Sequence, residues 1–262
     1  MPYFDLHCHP GLKTLFQVQN GKQLSVWEDL STGAMGKVLG SQSSFRQIVK
    51  DGKTNLVCLT LHPPEKGMTN QFVLFLAALT LVKGAIDYAQ LVEISSTNCL
   101  YQTIFYQELD NVMSTKGALK KVKFIKEWTD YDKTDYATLY IVFNIEGGHT
   151  FYDMGNKIGN FTQVLQNFKK FMDLKYRVLY FTPTHLTPNE FITHAYGNKI
   201  LSKGQLLPKG IGITPYGIQL IEYALNQKIL IDVKHMSLVS RRIYYHWRKL
   251  KGETSPIIAS HI

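Results

Sequence analysis

The sequence predicts an α/β fold, a TIM-like (β/α)8 barrel, on three observations. Apolar runs of strand length alternate with helical segments along the 262 residues. No hairpin signal joins one run to the next, so consecutive strands need crossover connections and a parallel sheet. Each run ends at or near a histidine or a glutamate, and only a barrel brings every strand's C-terminal end to one face. A doubly wound sheet would spread the same residues along a crevice.

The first run, residues 3–7, leads into His7-Cys8-His9-Pro10. Residues two apart on a strand face one side, so His7 and His9 aim two imidazoles at one point. Pro10 ends the strand's hydrogen bonding. Such a pair is half of a metal site, or one packed and one exposed histidine. Cys8 points the other way and reads as core. Residues 11–44 read as a long loop with one short helix, placed where a loop is more often functional than idle. A short helix follows at 43–50, then an Asp51-Gly52 turn. Residues 55–61 (NLVCLTL) form a strand buried on both faces. It ends at His62, which could line the site; a loop histidine is the preferred reading.

Residues 71–88 and 90–113 read as two long helices, from apolar residues at helical spacing. Residues 117–135, basic and then acidic, read as a helix or irregular cover. The next strand, 139–145 (LYIVFNI), runs into Glu146-Gly147-Gly148-His149. A glutamate emerging from an all-apolar strand costs several kcal/mol unless it is paired or bound to a metal. The metal is the favoured reading, and the two glycines let the backbone turn tightly. An amphipathic helix at 161–174 precedes a strand at 177–181, which is followed by His185. Residues 186–212, rich in Gly, Pro and Asn, should be an active-site loop. Thr214-Pro215 caps a helix running to Asn226. Strand 228–233 (KILIDV) leads to His235, and Ser237 caps a helix at 238–250. The last strand, 256–260 (PIIAS), ends in His261.

Composition narrows the function classes. At 45% hydrophobic and 19% charged, the chain can bury one sizeable core, and residues 1–262 read as a single domain. The formal charge of +9 is dispersed. Its densest cluster, Lys116, Lys120, Lys121, Lys123 and Lys126, reads as the solvated face of a helix. No aromatic-basic motif accompanies it, so nucleic acid is not an expected partner. Three cysteines without CxxC spacing exclude a disulfide framework and a zinc ribbon. The longest apolar run, 72–82, is too short to span a bilayer. A candidate site beginning at His7 leaves no room for a signal peptide, so a cytoplasmic protein is expected. Six strands fall two short of the barrel's eight, and six alone would leave open edges, so the chain is expected to continue past Ile262.

Four stretches together resemble the membrane (renal) dipeptidase family of the amidohydrolase superfamily. They are Ile145-Glu146-Gly147-Gly148-His149; Arg177 through Thr184-His185; Gly212-Ile213-Thr214-Pro215-Tyr216-Gly217 through Ile231-Asp232-Val233-Lys234-His235-Met236-Ser237; and Pro256-Ile257-Ile258-Ala259-Ser260-His261. Their order and approximate spacing agree over residues 139–262. The resemblance implies a dipeptidase, a zinc-dependent metalloprotease acting on a small peptide substrate. By it, His7 and His9 hold one zinc, Glu146 bridges two, and His235 with His261 hold the second. His185 would be the histidine that stabilises the tetrahedral oxyanion. Two zincs sharing a carboxylate and a hydroxide supply a nucleophile at neutral pH. The family's opening motif is His-x-Asp where this chain has His7-Cys8-His9, so the site carries one more unit of positive charge. The family's later proton-handling Asp and substrate-binding Arg would fall beyond residue 262.

Other readings stay open. Asp5-Leu6-His7-Cys8-His9 also resembles the opening motif of the polymerase-and-histidinol-phosphatase phosphoesterases. Another binuclear amidohydrolase and a catalytically inactive metal-binding barrel are the further alternatives. The assembly is not legible in the sequence, and a homodimer is compatible with it.

Overall fold

A computed structural model describes residues 3–15, 18–19, 22–29, 44–50, 53–65, 87–94, 100–114, 116–152, 160–196 and 206–261. The principal strands are β1 (Tyr3–Cys8), β4 (Thr54–Leu61), β5 (Lys121–Phe124), β6 (Thr138–Glu146), β7 (Val178–Thr182), β8 (Leu230–Asp232) and β9 (Ile257–Ile258). Two short strands, β2 (Val18–Gln19) and β3 (Lys22–Gln23), pair only with each other. The helices are α1 (Phe45–Val49), α2 (Tyr88–Ile94), α3 (Tyr101–Met113), α4 (Phe161–Met172), α5 (Pro215–Asn226) and α6 (Leu238–Lys251).

The main sheet is parallel, with neighbours in the order β1-β4-β6-β7-β8-β9. That order follows the chain without reversal, so there is no switch point of the doubly wound kind. The sheet is strongly curled. β1 and β9 stand at opposite ends of the order, yet the ring of His7, within β1, and that of His261, just past β9, lie 4.2 Å apart. From β7, the Tyr180 hydroxyl crosses the arc and donates to the Leu6 carbonyl of β1 at 2.9 Å.

Strand parity divides the core. On β6, Leu139, Ile141, Phe143 and Ile145 face the helices, where Phe105, Phe168, Phe171 and Leu220 cover them. Tyr140 and Val142 face into the arc with Cys58 and Tyr180. The same two-residue step carries Asn144 and then Glu146 inward. Burying each of these large apolar side chains contributes roughly 1.5–3 kcal/mol. Expected caps are present. Thr214 accepts from Gly217 N with Pro215 opening α5, and Ser237 accepts from Ser240 N at the start of α6. Cys8 and Cys58 are free, buried thiols.

Three expectations are corrected. Residues 117–135 do not cover the sheet as a helix: Lys121–Phe124 is a strand paired with the first half of β6. The alternation Lys-Val-Lys-Phe is a period-two pattern, so the lysine cluster sits on a strand and turns, with Lys123 paired to Asp130 at 3.1 Å. Residues 90–113 are not one described helix, since α2 and α3 are separate and 95–99 lie outside the described residues. The third correction, at His62, belongs to the site. The helix expected at 71–88 lies almost wholly outside the described residues, as do residues 30–43 of the first loop, Asp51-Gly52, Cys99 and 197–205 of the later loop. No helix among the described residues is long and apolar enough to cross a membrane.

Candidate metal centre

Glu146 is the centre of the mouth. It ends β6, is 1% exposed, and pairs in register with Thr182 of β7. Gly147 follows at φ +95°, where an added Cβ would stand 2.1 Å from the His149 ring, so the turn there requires glycine. Around the Glu146 carboxylate the strand ends deliver imidazoles in two groups. His9 Nε2 lies 3.3 Å and His7 Nε2 3.7 Å from Oε2. His235 Nε2 lies 3.3 Å and His185 Nε2 3.9 Å from Oε1. Within the groups, His7 and His9 bring their Nε2 atoms to 2.9 Å, and His235 and His261 bring theirs to 3.1 Å. All six residues named from the sequence therefore meet at one point. His235 reaches it from a left-handed backbone at φ +63°, a conformation in which histidine is several-fold enriched.

His62 is part of this cluster and not an open-loop histidine. β4 pairs with β6 up to Leu61 opposite Ile145, so the next residue falls beside Glu146. His62 is 3% exposed, and its Nδ1 donates to the Glu146 backbone carbonyl at 3.0 Å. The sequence also concealed Glu65, three residues further on, whose Oε2 lies 2.7 Å from His185 Nδ1. His62 directly follows a buried strand's C-terminal end, the criterion that singled out Glu146; Glu65 stands beyond two prolines, and nothing local marks it.

Hydrogen bonding settles where two of the protons sit. Tyr180 has one hydroxyl proton and gives it to the Leu6 carbonyl. Towards Asn144 Nδ2 at 2.7 Å and His7 Nδ1 at 2.8 Å its oxygen can only accept. His7 therefore carries its proton on Nδ1 and turns the Nε2 lone pair to the cluster. His261 is built the same way. Ser260 gives its proton to Asp232 Oδ2 at 2.7 Å and accepts from His261 Nδ1 at 2.9 Å. Asp232 is itself buried and held by Thr182 Oγ1 at 2.8 Å. Outer partners of this kind set the tautomer of metal-binding histidines.

Burial opposes charge on Glu146, but His185, His235, His62 and His9 outweigh it and hold the carboxyl well below its ordinary range. Burial lowers His9 to about 4 despite Glu146, and burial with the His7 ring lowers His261 to about 4. Both are neutral at pH 7. Burial also disfavours charge on His185, yet Glu65 and Glu146 raise it to about 9.

The centre has the donor set a metal ion takes. Among the described residues no hydrogen bond satisfies either Glu146 oxygen. An ionised, buried carboxylate with both oxygens unmet is costly unless a cation completes it. Lone-pair imidazole nitrogens on either side are the donors such a cation takes. His7, Glu146 and His261 offer ligand atoms within 4.8 Å of one another, as do Glu146, His185 and His235.

Neither a protein-family model nor a curated protein matches the sequence. Solved structures do match the fold. A metallopeptidase from Rhodobacter sphaeroides, liganded with a phosphinate mimic of the dipeptide L-Ala-D-Ala, superposes with a TM-score of 0.55 at 13% identity. The alignment covers 100% of this chain and 65% of that one. The fold is one shared with metallopeptidases. A probable dipeptidase, PvdM, from Pseudomonas aeruginosa aligns at a TM-score of 0.52 and 14% identity, over 92% of this chain and 48% of its own. The chain thus spans about half to two-thirds of the length of these structures.

Proposed function

We propose that this chain is a metal-dependent hydrolase of dipeptidase type, its curled parallel sheet forming part of a (β/α)8 barrel. The observation that carries the reading is the Glu146 carboxylate: buried, ionised and unsatisfied among the described residues, with His7 and His9 at one oxygen and His235 and His185 at the other. His7 and His9 would hold one zinc ion, His235 and His261 a second, with Glu146 bridging. Ions held there supply Lewis acidity to a peptide carbonyl and lower the pKa of water towards neutrality.

The chain's own groups do the rest. Tyr180, itself held by Asn144, holds His7, and Ser260, held by Asp232, holds His261, so these rings would need little reorganisation as the reaction proceeds. His185, raised to about 9 by Glu65 and Glu146 and so protonated on both ring nitrogens at neutral pH, would offer its Nε2–H, 3.9 Å from Glu146 Oε1, to the oxygen that gains negative charge as the amide is attacked. Such a donor is worth on the order of 3–4 kcal/mol. The fold similarity to a metallopeptidase holding a dipeptide mimic supports a small peptide as substrate. The test is zinc-dependent hydrolysis of a dipeptide panel by the purified chain. Cleavage abolished by chelation and restored by zinc is expected. A zinc-loaded chain that cleaves none of the panel contradicts the dipeptidase reading.

A further inference from the structure

We propose that Glu65 is the positioning residue for His185, fixing the imidazole so that Nε2 faces the reacting carbonyl. This inference rests on the hydrolase reading above. Glu65 lies past the end of β4, in His62-Pro63-Pro64-Glu65, and reaches over the end of β6 to the loop that follows β7. Its two oxygens are used differently. Oε1 accepts from Thr187 N at 3.0 Å and from Thr187 Oγ1 at 2.9 Å, which stitches the two loops. Oε2 accepts from His185 Nδ1 at 2.7 Å, with Leu186 N at 3.3 Å. A carboxylate only accepts here, so His185 carries a proton on Nδ1, and Nε2 is the ring atom left to meet a substrate.

The ring is also walled in. Its centroid lies 4.4 Å from that of His62 and 4.5 Å from that of His235, both edge to face. The arm that carries Glu65 is stiff. Two consecutive prolines restrict it, and His149 Nε2 donates to the Pro63 carbonyl at 2.8 Å. The partner that grips Nδ1 therefore sits on a rigid, buried support.

His62, Glu65 and His185 also bring ligand atoms within 4.8 Å of one another, as a third metal group would. Hydrogen-bond bookkeeping decides against it. Both Glu65 oxygens already have donors, whereas among the described residues neither Glu146 oxygen does. A cation at Glu65 would have to displace the His185 bond; one at Glu146 displaces nothing. Pinning at Nδ1 is how an imidazole donor is held ready without reorganising.

The test uses the full chain loaded with zinc. Glu65→Gln is expected to keep the native zinc stoichiometry and a KM within about two-fold, while kcat falls by about 10–100-fold. Independently of turnover, nitrogen-15 NMR of the imidazoles should show a far-downfield Nδ1–H resonance, assigned by its absence in His185→Gln. That resonance should vanish in Glu65→Ala. If the alanine variant fails to fold, Glu65→Gln should instead shift the resonance upfield. An unchanged resonance in either variant, a kcat within two-fold of native, or loss of a zinc ion from Glu65→Gln overturns the proposal. If the native chain cleaves no dipeptide, the hydrolase reading fails by itself, and the resonance still decides whether Glu65 holds His185.

Discussion

Two buried carboxylates stand on either side of His185 and behave in opposite ways. Glu65 and Glu146 are each 1% exposed. Burial works against ionisation of both, and neighbouring histidines reverse it in both, so each carboxyl is held below its ordinary range. Yet both oxygens of Glu65 are met by protein donors, and among the described residues neither oxygen of Glu146 is. A saturated carboxylate is part of the framework; an unsaturated one, ringed by imidazole lone pairs, is the one proposed as a ligand. Charge and burial are alike in the two, and only the count of donors separates their roles. Glu108 is intermediate. Its Oε2 accepts from the His62 backbone N–H at 2.8 Å while Oε1 has no partner among the described residues. Burial pushes its carboxyl up to about 8.

The contrast can be broken most severely at Glu146. Glu146→Gln should lose both metal ions and reduce zinc-dependent hydrolysis to background, read by elemental analysis beside the dipeptide assay. Retention of both ions would erase the difference between the two carboxylates. Next in size is a pH effect at Glu108. Below its ordinary value of 4.5 the carboxyl is protonated whether the chain is folded or not. Between there and about 8 the folded chain keeps a proton that the unfolded chain has lost. Stability is therefore fully present below pH 4.5 and falls as pH rises through 8, by on the order of a few kcal/mol. Urea unfolding of metal-free protein across this range should show Glu108→Gln relieved of that loss; parallel native and variant curves would contradict it. The smallest effect is at Tyr180. Tyr180→Phe removes the acceptor for His7 Nδ1–H and should weaken zinc binding by about 10–100-fold. A competition titration with a chelator measures it, and unchanged affinity would show that the His7 tautomer needs no partner.

Much of this was legible in sequence because it is local. The alternation along LYIVFNIE both makes β6 and delivers Glu146 inward. The caps at Thr214 and Ser237 place α5 and α6, the helices on either side of β8 and the His235 that follows it. What escaped was of two kinds. Lys121–Phe124 escaped because four residues are too few for lysines at alternate positions to look like a strand. Glu65 escaped, and His62 was read as a loop histidine, because their meaning lies in partners. Glu65 acts on His185, 120 positions away, and His62 on Glu146, 84 away. No spacing rule ties such pairs; only the β4-β6-β7 order does.

The most direct test of the central claim is anomalous scattering from crystals of the zinc-loaded chain. Two peaks are predicted, one between Glu146 and the His7–His9 pair and one between Glu146 and the His235–His261 pair, with none at Glu65. A single peak among His62, Glu65 and His185, or no peak beside Glu146, would contradict the account.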